Sequence, residues 1–256
     1  MKPVLSVVKI GGNVIDSPKE LELFLSEFAA ISGPKLLVHG GGKIATSVAE
    51  KLGVETHFID GRRVTSPEMM DVALMVYAGL VNKKIVAMLG ARNCPAIGLS
   101  GADGSTVISR RRPATPVDYG EVGDVDMVDG QLISRLIENG LTPVYCAVTV
   151  DNDGNLLNTN ADTMAEELAI ALGEFFDVRL FYCFEKKGVM NGEDVIPVID
   201  SELFEQLKAD GIVVAGMIPK IANALRAAKS PGIIDVIIKS SSELLIGSGT
   251  VILGNK

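Results

Sequence analysis

Apolar segments of strand length alternate with longer amphipathic segments along most of this chain. The strand-like runs are Val4–Ile10, Lys35–His39, Ala96–Leu99, Thr142–Ala147, Val178–Cys183, Ile233–Ile238 and Thr250–Leu253. Alternation of strands and helices is typical of βαβ units, in which helices cover a mostly parallel sheet. The pattern therefore predicts an α/β protein with a mainly parallel central sheet.

Capping residues mark the starts of several predicted helices. Ser17-Pro18 and Ser66-Pro67 each place a serine at the N-cap and a proline in the first turn. Asn160 precedes a third helix, whose apolar face ends at Gly173. These boundaries fall between the predicted strands, as an α/β arrangement requires.

Turn residues predict hairpins and a division of the chain into two lobes. Asp151–Gly154 and Asn191-Gly192 are hairpin turn sequences, and the polar, β-rich stretch 105–129 predicts a protruding hairpin. Near Gly173 the glycine-rich motifs of the first part give way to a shorter second part. We therefore expect one domain over residues 1–256, with an N-terminal lobe 1–173 and a C-terminal lobe 174–256.

Composition narrows the class of protein. The chain has 256 residues, of which 47% are hydrophobic, enough for a large core, and its net charge of −8 argues against a nucleic-acid partner. Cys94, Cys146 and Cys183 lack metal-ligand spacing, so we expect reduced, buried thiols and no metal site. The chain lacks a signal-peptide pattern and an apolar run of ~18 residues, which predicts a cytoplasmic protein without a membrane partner.

Two glycine-rich turns follow predicted strands. Gly11-Gly12 follows the first strand, which carries Lys9, and Gly40-Gly41-Gly42 follows the second strand and His39. Glycine lets backbone N–H groups approach a ligand, and a helix beginning just beyond favours an anion. We therefore predict a phosphoryl site at these turns. His39 is expected to pack or hydrogen-bond rather than to catalyse.

Three further charged residues stand out by their position. Lys220 follows Pro219 in the first turn of a predicted helix, where a cation opposes the helix dipole and therefore indicates an anionic ligand. Asp162 lies at a helix start beside the amides of Asn158 and Asn160, which indicates a polar site. Arg63 can bind a carboxylate through two parallel hydrogen bonds. Each also has a plain structural explanation: an exposed lysine, a helix-start acid and a loop arginine.

Together these motifs resemble the N-acetylglutamate kinase family of the amino acid kinase superfamily over nearly the whole chain. The matching segments are Val8-Lys9-Ile10-Gly11-Gly12, Val38-His39-Gly40-Gly41-Gly42-Lys43, Gly61-Arg62-Arg63-Val64-Thr65, Leu157-Asn158-Thr159-Asn160-Ala161-Asp162 and Gly216-Met217-Ile218-Pro219-Lys220. The resemblance implies an open three-layer αβα sandwich of the carbamate kinase-like type. It also implies an acylated glutamate in the N-terminal lobe, ATP with Mg²⁺ in the C-terminal lobe, and a step of arginine biosynthesis.

The resemblance assigns roles to individual residues. Lys9 and Lys220 match two lysines that stabilise the transferred phosphoryl group, and Asp162 matches the carboxylate that orients both. Gly11, Gly12, Gly41 and Gly42 match glycines at the phosphoryl group or the substrate, and Arg63 and Asn158 match residues that hold the substrate's α-carboxylate and acylamino portion.

The nucleotide-binding motif departs from the family pattern. A Thr/Ser-Asp-Val run before a glycine is usual, and this chain has Phe184-Glu185-Lys186-Lys187-Gly188 instead. The segment before Lys220, Val213-Val214-Ala215-Gly216, lacks its usual polar residue. We expect nucleotide contacts from Glu185, Lys187, Gly188, Val213 and Val214.

Other functions remain open from the sequence. Arg62 stands where the family usually has leucine, and its guanidinium could bind the extra carboxylate of N-succinylglutamate; another amino acid kinase substrate is a related alternative. A non-catalytic, small-molecule-binding regulatory protein is a second alternative. A dinucleotide-dependent oxidoreductase is disfavoured because the first turn lacks the Gly-x-Gly-x-x-Gly spacing.

The resemblance also bears on assembly. Arginine-inhibited members carry a helix before the first strand that links dimers into hexamers, whereas the first strand here begins at about Val4. We therefore expect a homodimer without that route of feedback. The helix from Pro67 onward is rich in Met and Leu, with Met69, Met70, Leu74 and Met75, which fits either a dimer face or core packing.

Overall fold

The structure is a computed structural model that describes residues 2–59, 62–214, 216–247 and 249–254. Within these residues the strands are β1 (Val4–Ile10), β2 (Lys35–His39), β3 (His57–Ile59), β4 (Arg62–Val64), β5 (Ala96–Leu99), β6 (Val107–Arg111), β7 (Gly123–Val128), β8 (Thr142–Cys146), β9 (Val148–Val150), β10 (Leu156–Asn158), β11 (Asp177–Phe184), β12 (Met190–Asn191), β13 (Asp194–Val195), β14 (Val198–Ile199), β15 (Ile233–Ser240) and β16 (Thr250–Ile252). The α-helices are α1 (Gly12–Asp16), α2 (Pro18–Ala30), α3 (Gly42–Leu52), α4 (Pro67–Leu74), α5 (Asn82–Gly90), α6 (Gly130–Glu138), α7 (Ala161–Leu172), α8 (Ser201–Ala209) and α9 (Ile218–Ala228).

Eight strands form the central sheet in the order β14-β16-β15-β11-β1-β2-β8-β5. All neighbours are parallel except β15 and β16, which confirms the predicted mainly parallel α/β architecture. The strands that follow Gly173 in sequence form one half of the sheet and those that precede it form the other. β1 lies at the junction, between β2 and β11.

Helices cover both faces of this sheet, because side chains of its buried strands alternate between two cores. On β1, Leu5 and Val7 pack against α6 to α9, whereas Val8 and Ile10 pack against α1 to α5. The result is an open three-layer αβα sandwich. Since parallel strands end at the same edge, Lys9 and the turns after β1 and β2 meet at one edge of the sheet.

The helix beginning at Pro67 continues through α4, a π-helical segment Met75–Val81 and α5. Its 24 residues match a membrane span by length, and its most apolar 18-residue window has a mean hydropathy of 1.6, but 44% of that window is buried inside the protein. Met69 and Met70 lie in the core, whereas Met75 is 52% exposed. The first two methionines therefore serve core packing rather than a dimer face.

The three predicted hairpins are present. β6 and β7 form the hairpin within 105–129, and β9 with β10 and β12 with β13 form the other two. β10, β9, β6 and β7 make a four-stranded sheet beside the central one. This small sheet carries Asn158 toward the end of the central sheet where Lys9 lies.

The predicted caps are also present. Ser17 and Ser66 accept hydrogen bonds from the backbone of their first helical turns, and Asn160 accepts from the N–H groups of Asp162 and Thr163. α9 begins at Ile218, one residue earlier than the prediction from Pro219. The three cysteines are free and buried, as predicted.

Candidate active site

Two lysines and one aspartate meet where the two halves of the sheet join. Lys9 Nζ lies 2.6 Å from Asp162 Oδ1, and Lys220 Nζ donates to Asp162 Oδ2 at 2.9 Å. Lys9 extends from β1, Asp162 from the first turn of α7 and Lys220 from the first turn of α9. The structure thus brings together three residues from distant parts of the sequence, each of which the sequence analysis had singled out separately.

Burial makes this cluster electrostatically strong. Lys9 and Asp162 are buried, and Lys220 is half-buried. Burial lowers the pKa of Lys9, although Asp162 opposes the shift. Burial also acts to raise the pKa of Asp162, but the charges of Lys9 and Lys220 overcome it and hold that pKa below its ordinary value. With both lysines protonated the cluster carries one excess positive charge, which suits an anionic ligand.

A small cavity of about 220 Å³ opens beside Lys9 and Lys220, and it also contacts Gly12, Phe184 and Glu185. The N–H of Gly11 is already bonded to the carbonyl of Cys183 at 3.0 Å. Anion contacts from this turn therefore fall to Gly12 and the next residues of α1, whose first-turn N–H groups lack helical partners. A Cβ at Gly12 would meet no atom within 4 Å, so the protein leaves this backbone accessible.

A larger cavity of about 420 Å³ lies on the other side of Lys220 and includes Asp162. Its remaining lining residues include Gly40, Gly41, Gly42, Phe58, Arg62, Arg63, Tyr77, Arg112 and Asn158. Lys220 contacts both cavities. The geometry therefore offers two adjacent compartments with a shared cation between them.

Arg63 and Asn158 line the larger cavity but are partly engaged by the protein. Arg63 Nη2 donates to the Gly42 carbonyl and to Thr46 Oγ1, both at 2.8 Å, and its guanidinium carbon lies 4.6 Å from the centre of the Phe58 ring. Asn158 Nδ2 donates to Thr65 Oγ1 at 3.1 Å. Each side chain is thereby held in place with further polar atoms left for a ligand.

The glycine turn after β2 is closely packed. A Cβ at Gly41 would lie 3.0 Å from Tyr77 Cδ1, so a side chain there would displace the tyrosine that lines the cavity. His39 is fully buried, with Nδ1 donating to the Gly40 carbonyl at 2.7 Å and Nε2 accepting from Asn82 Nδ2 at 3.0 Å. Burial lowers the pKa of His39 to about 4. The neutral imidazole therefore positions the turn, consistent with the sequence expectation.

The residues predicted to contact the nucleotide do not lie together in one cavity. Glu185 lines the smaller cavity, and Lys187 is exposed outside both cavities. Gly188 packs closely, since a Cβ there would lie 2.7 Å from Thr250 Oγ1; Val213 belongs to the core, and Val214 is 64% exposed. Ala215 and Gly61 of the matched motifs lie outside the described residues. Of this set, only Glu185 is brought to a described cavity.

Sequence reasoning missed Phe184 as a member of the charged cluster. Its ring centre lies 4.8 Å from Lys9 Nζ and 4.0 Å from Lys220 Nζ. An aromatic residue at the end of a predicted strand gives no indication of such contacts, because they depend on β11 lying beside β1. The described residues contain no cluster of three or more His, Cys, Asp or Glu side chains that could hold a metal ion.

Comparison with known proteins identifies the family. Residues 5–240 match the model of the Amino acid kinase family. An acetylglutamate kinase of Bacteroides thetaiotaomicron is 49% identical over 254 residues, which cover 98% of each chain.

Solved structures agree on the fold. The crystal structure of smu.665 from Streptococcus mutans UA159 has a TM-score of 0.83 at 28% identity and covers 98% of this chain and 99% of its own. Carbamate kinase from Giardia lamblia has a TM-score of 0.72 at 19% identity, with 99% of both chains covered. The chain therefore belongs to the amino acid kinase family and, within it, to the acetylglutamate kinases.

Proposed function

We propose that this chain transfers the γ-phosphoryl group of ATP to the side-chain carboxylate of N-acetyl-L-glutamate, giving the acyl phosphate for arginine biosynthesis. The observation that carries the proposal is the cluster of Lys9, Asp162 and Lys220 between two cavities. The acetylglutamate kinase relatives match this chain over nearly its whole length.

The reaction needs no general base from the protein. The nucleophile is the substrate's own carboxylate, which has an ordinary pKa near ~4.3 and is ionised at neutral pH. His39, which precedes the glycine turn after β2, is buried, and burial lowers its pKa to about 4. Catalysis therefore consists of positioning two anions and of stabilising the charge on the phosphoryl group between them.

The charged cluster supplies that stabilisation. Lys220 contacts both cavities and Lys9 the smaller one, so their ammonium groups can bind oxygens of a phosphoryl group that passes between the compartments. Asp162 holds both ammonium groups without cancelling their combined charge. The N–H groups of Gly12 and the following residues add neutral donors on the side of the smaller cavity.

Mg²⁺ enters with ATP as part of the nucleotide substrate. The carboxylate of Asp162 is bonded to two lysines, and Glu185 is the other acid at the described cavities. This donor set fits an ion that keeps its phosphate and water ligands, as Mg²⁺ prefers, rather than a dedicated protein site.

We assign the larger cavity, which is lined mostly by residues of the lobe 1–173 and closed on one side by residues such as Pro219 and Lys220, to the acylated amino acid. In this proposal Arg63 holds the α-carboxylate, Asn158 holds the acylamino group, and the backbone of Gly41 and Gly42 contacts the substrate. The smaller cavity, which contacts residues of the lobe 174–256, receives the phosphates. We further propose a cytoplasmic homodimer, in which the exposed Met75 contributes to the interface.

The test is coupled ADP release from the purified protein with glutamate, N-acetylglutamate, N-succinylglutamate, aspartate and carbamate. N-acetylglutamate should give the highest kcat/KM. Lys9→Ala and Lys220→Ala should each lower kcat by ~10²–10³ while changing KM little, because each removes charge stabilisation of the transferred group. Rates within a few-fold of the parent in both variants, or no ADP release with any acylated glutamate, would overturn the proposal.

One observation favours N-succinylglutamate as a second candidate substrate. Arg62 and Arg112 both line the larger cavity; Arg112 is paired with Asp124, whereas Arg62 is exposed. A second carboxylate on the acyl group would find a cation in Arg62. Higher kcat/KM with N-succinylglutamate than with the acetyl compound would assign the protein to that substrate.

A further inference from the structure

The ring of Phe184 is the one aromatic surface that both lysines of the described charged cluster share. Phe184 ends β11, and its ring lines the smaller cavity. Lys220 Nζ lies 4.0 Å from the ring centre and Lys9 Nζ lies 4.8 Å from it. Both distances are within the ~6 Å at which an ammonium group is attracted to an aromatic face.

The ring face offsets part of the repulsion between the two positive charges of the cluster. Two ammonium groups share a single carboxylate, that of Asp162, so one positive charge has no counterion there. The groups repel each other, and Lys220 lowers the pKa of Lys9 further than burial alone. The face of an aromatic ring carries partial negative charge and attracts each ammonium group without adding a formal charge.

A ring also leaves the lysine donors available. Each ammonium group has three N–H donors and gives one side of itself to Asp162. A second carboxylate in place of the ring would bind further N–H groups and cancel the excess charge that a phosphoryl group requires. An aliphatic side chain of similar volume would fill the space without attracting either lysine.

The surroundings hold the ring in place. Tyr182, two residues earlier on β11, has its ring parallel to that of Phe184, with centres 6.4 Å apart and planes 1° apart. The Tyr182 hydroxyl donates to the backbone carbonyl of Asp162 at 3.2 Å. The backbone of Gly11 also lies against the ring, since a Cβ there would be in van der Waals contact with Phe184 Cδ1 at 3.4 Å.

We propose that Phe184 is a positioning residue for phosphoryl transfer, whose ring face holds the ammonium groups of Lys9 and Lys220 together at the cavity and leaves their N–H bonds free for phosphoryl oxygens. The inference rests on the proposed kinase function. It adds to that function a residue that contacts the catalytic lysines rather than the substrates.

The experiment replaces Phe184 by 4-fluoro-, 3,5-difluoro- and 3,4,5-trifluorophenylalanine, which nearly keep the ring's shape while withdrawing electron density stepwise. With N-acetylglutamate and ATP, kcat should fall at each step, by roughly 2- to 30-fold across the series, because the ring face progressively loses its attraction for the lysines. KM for N-acetylglutamate should change less than two-fold.

A second readout needs no substrate. In protein labelled at lysine ¹³Cε, NMR titration should show the pKa of Lys9 falling stepwise with fluorination, since the ring stabilises its charged form. This measurement tests the inference even if N-acetylglutamate proves not to be the substrate. Trifluorophenylalanine at Phe204, whose ring centre lies 5.0 Å from Lys208 on α8 outside the cavities, is the matched control and should leave kcat unchanged.

With a substrate that the protein phosphorylates, both readouts must change for the inference to stand; without one, the Lys9 titration alone decides it. A kcat that is flat across the series, or a fall in kcat without any change in the Lys9 titration, would overturn it. The second pattern would instead show that the ring acts through shape or through contact with the nucleotide.

Discussion

Asp162→Asn separates the structural and catalytic effects of the charged cluster. The substitution keeps the shape of the side chain but removes the charge that faces Lys9 Nζ at 2.6 Å and Lys220 Nζ at 2.9 Å. At an effective dielectric constant of about 20, each attraction amounts to ~6 kcal/mol before the cost of desolvation is subtracted. Removal of one partner from a buried ion pair costs a net ~3–5 kcal/mol, which is the loss of stability we expect.

This loss can be measured directly. For a domain of this size it corresponds to a fall in Tm of about 6–20 °C. The variant cluster carries one more net positive charge, so inorganic phosphate should raise the Tm of Asp162→Asn more than that of the parent. At saturating substrates kcat should fall by ~10²–10³, since the lysines lose the group that orients them.

The control is Glu202→Gln, which removes an acid from the first turn of another helix, α8, where the side chain is exposed rather than buried. It loses only the interaction with the helix dipole, ~0.3–1 kcal/mol. If Asp162→Asn is no less stable than this control and keeps a rate within a few-fold of the parent, Asp162 is only a helix-start residue and our account of the cluster is wrong.

Three further predictions follow from the same structure. Because the pKa of His39 is lowered to about 4, kcat should be level from pH ~6 to ~8 and should fall at alkaline pH below the ordinary lysine range, where buried Lys9 loses its proton; an inflection near ~6.5 that disappears in His39→Gln would contradict this. Burial raises the pKa of Glu166 to about 7 despite its pairing with Arg226, so this carboxyl group stays protonated to a higher pH in the folded protein than in the unfolded chain. As the pH rises from ~5 to ~7, the free energy of unfolding measured in urea titrations should therefore fall more steeply in the parent than in Glu166→Gln. The same dependence on pH in both proteins would refute this prediction. Arg62→Leu should lower kcat/KM for N-succinylglutamate ~10- to 150-fold, as expected for loss of a charged hydrogen bond, and should leave N-acetylglutamate unaffected; equal losses on both substrates would exclude a second carboxylate site.

The sequence alone determined the architecture of this protein and drew attention to the three residues of the charged cluster. Strand periodicity and capping residues are local properties, so β1, the hairpins and the start of α7 at Asn160 could be predicted within a residue or two. Glycines after strands and a lysine in a helix's first turn conflict with ordinary local preferences, which is why Lys9 and Lys220 were recognisable.

Only the tertiary structure decided which atoms meet. The parallel pairing of β11 with β1 brings Phe184 under the two lysines, and no local pattern encodes that pairing. For the same reason, the sequence could not show that Val213, which the motif indicated as a nucleotide contact, packs in the core. Nor could it show that the N–H of Gly11, predicted to contact a phosphoryl group, donates instead to the carbonyl of Cys183. Sequence patterns report the preferences of neighbouring residues, whereas burial and hydrogen-bond partners depend on segments far apart in the chain, which packing brings together.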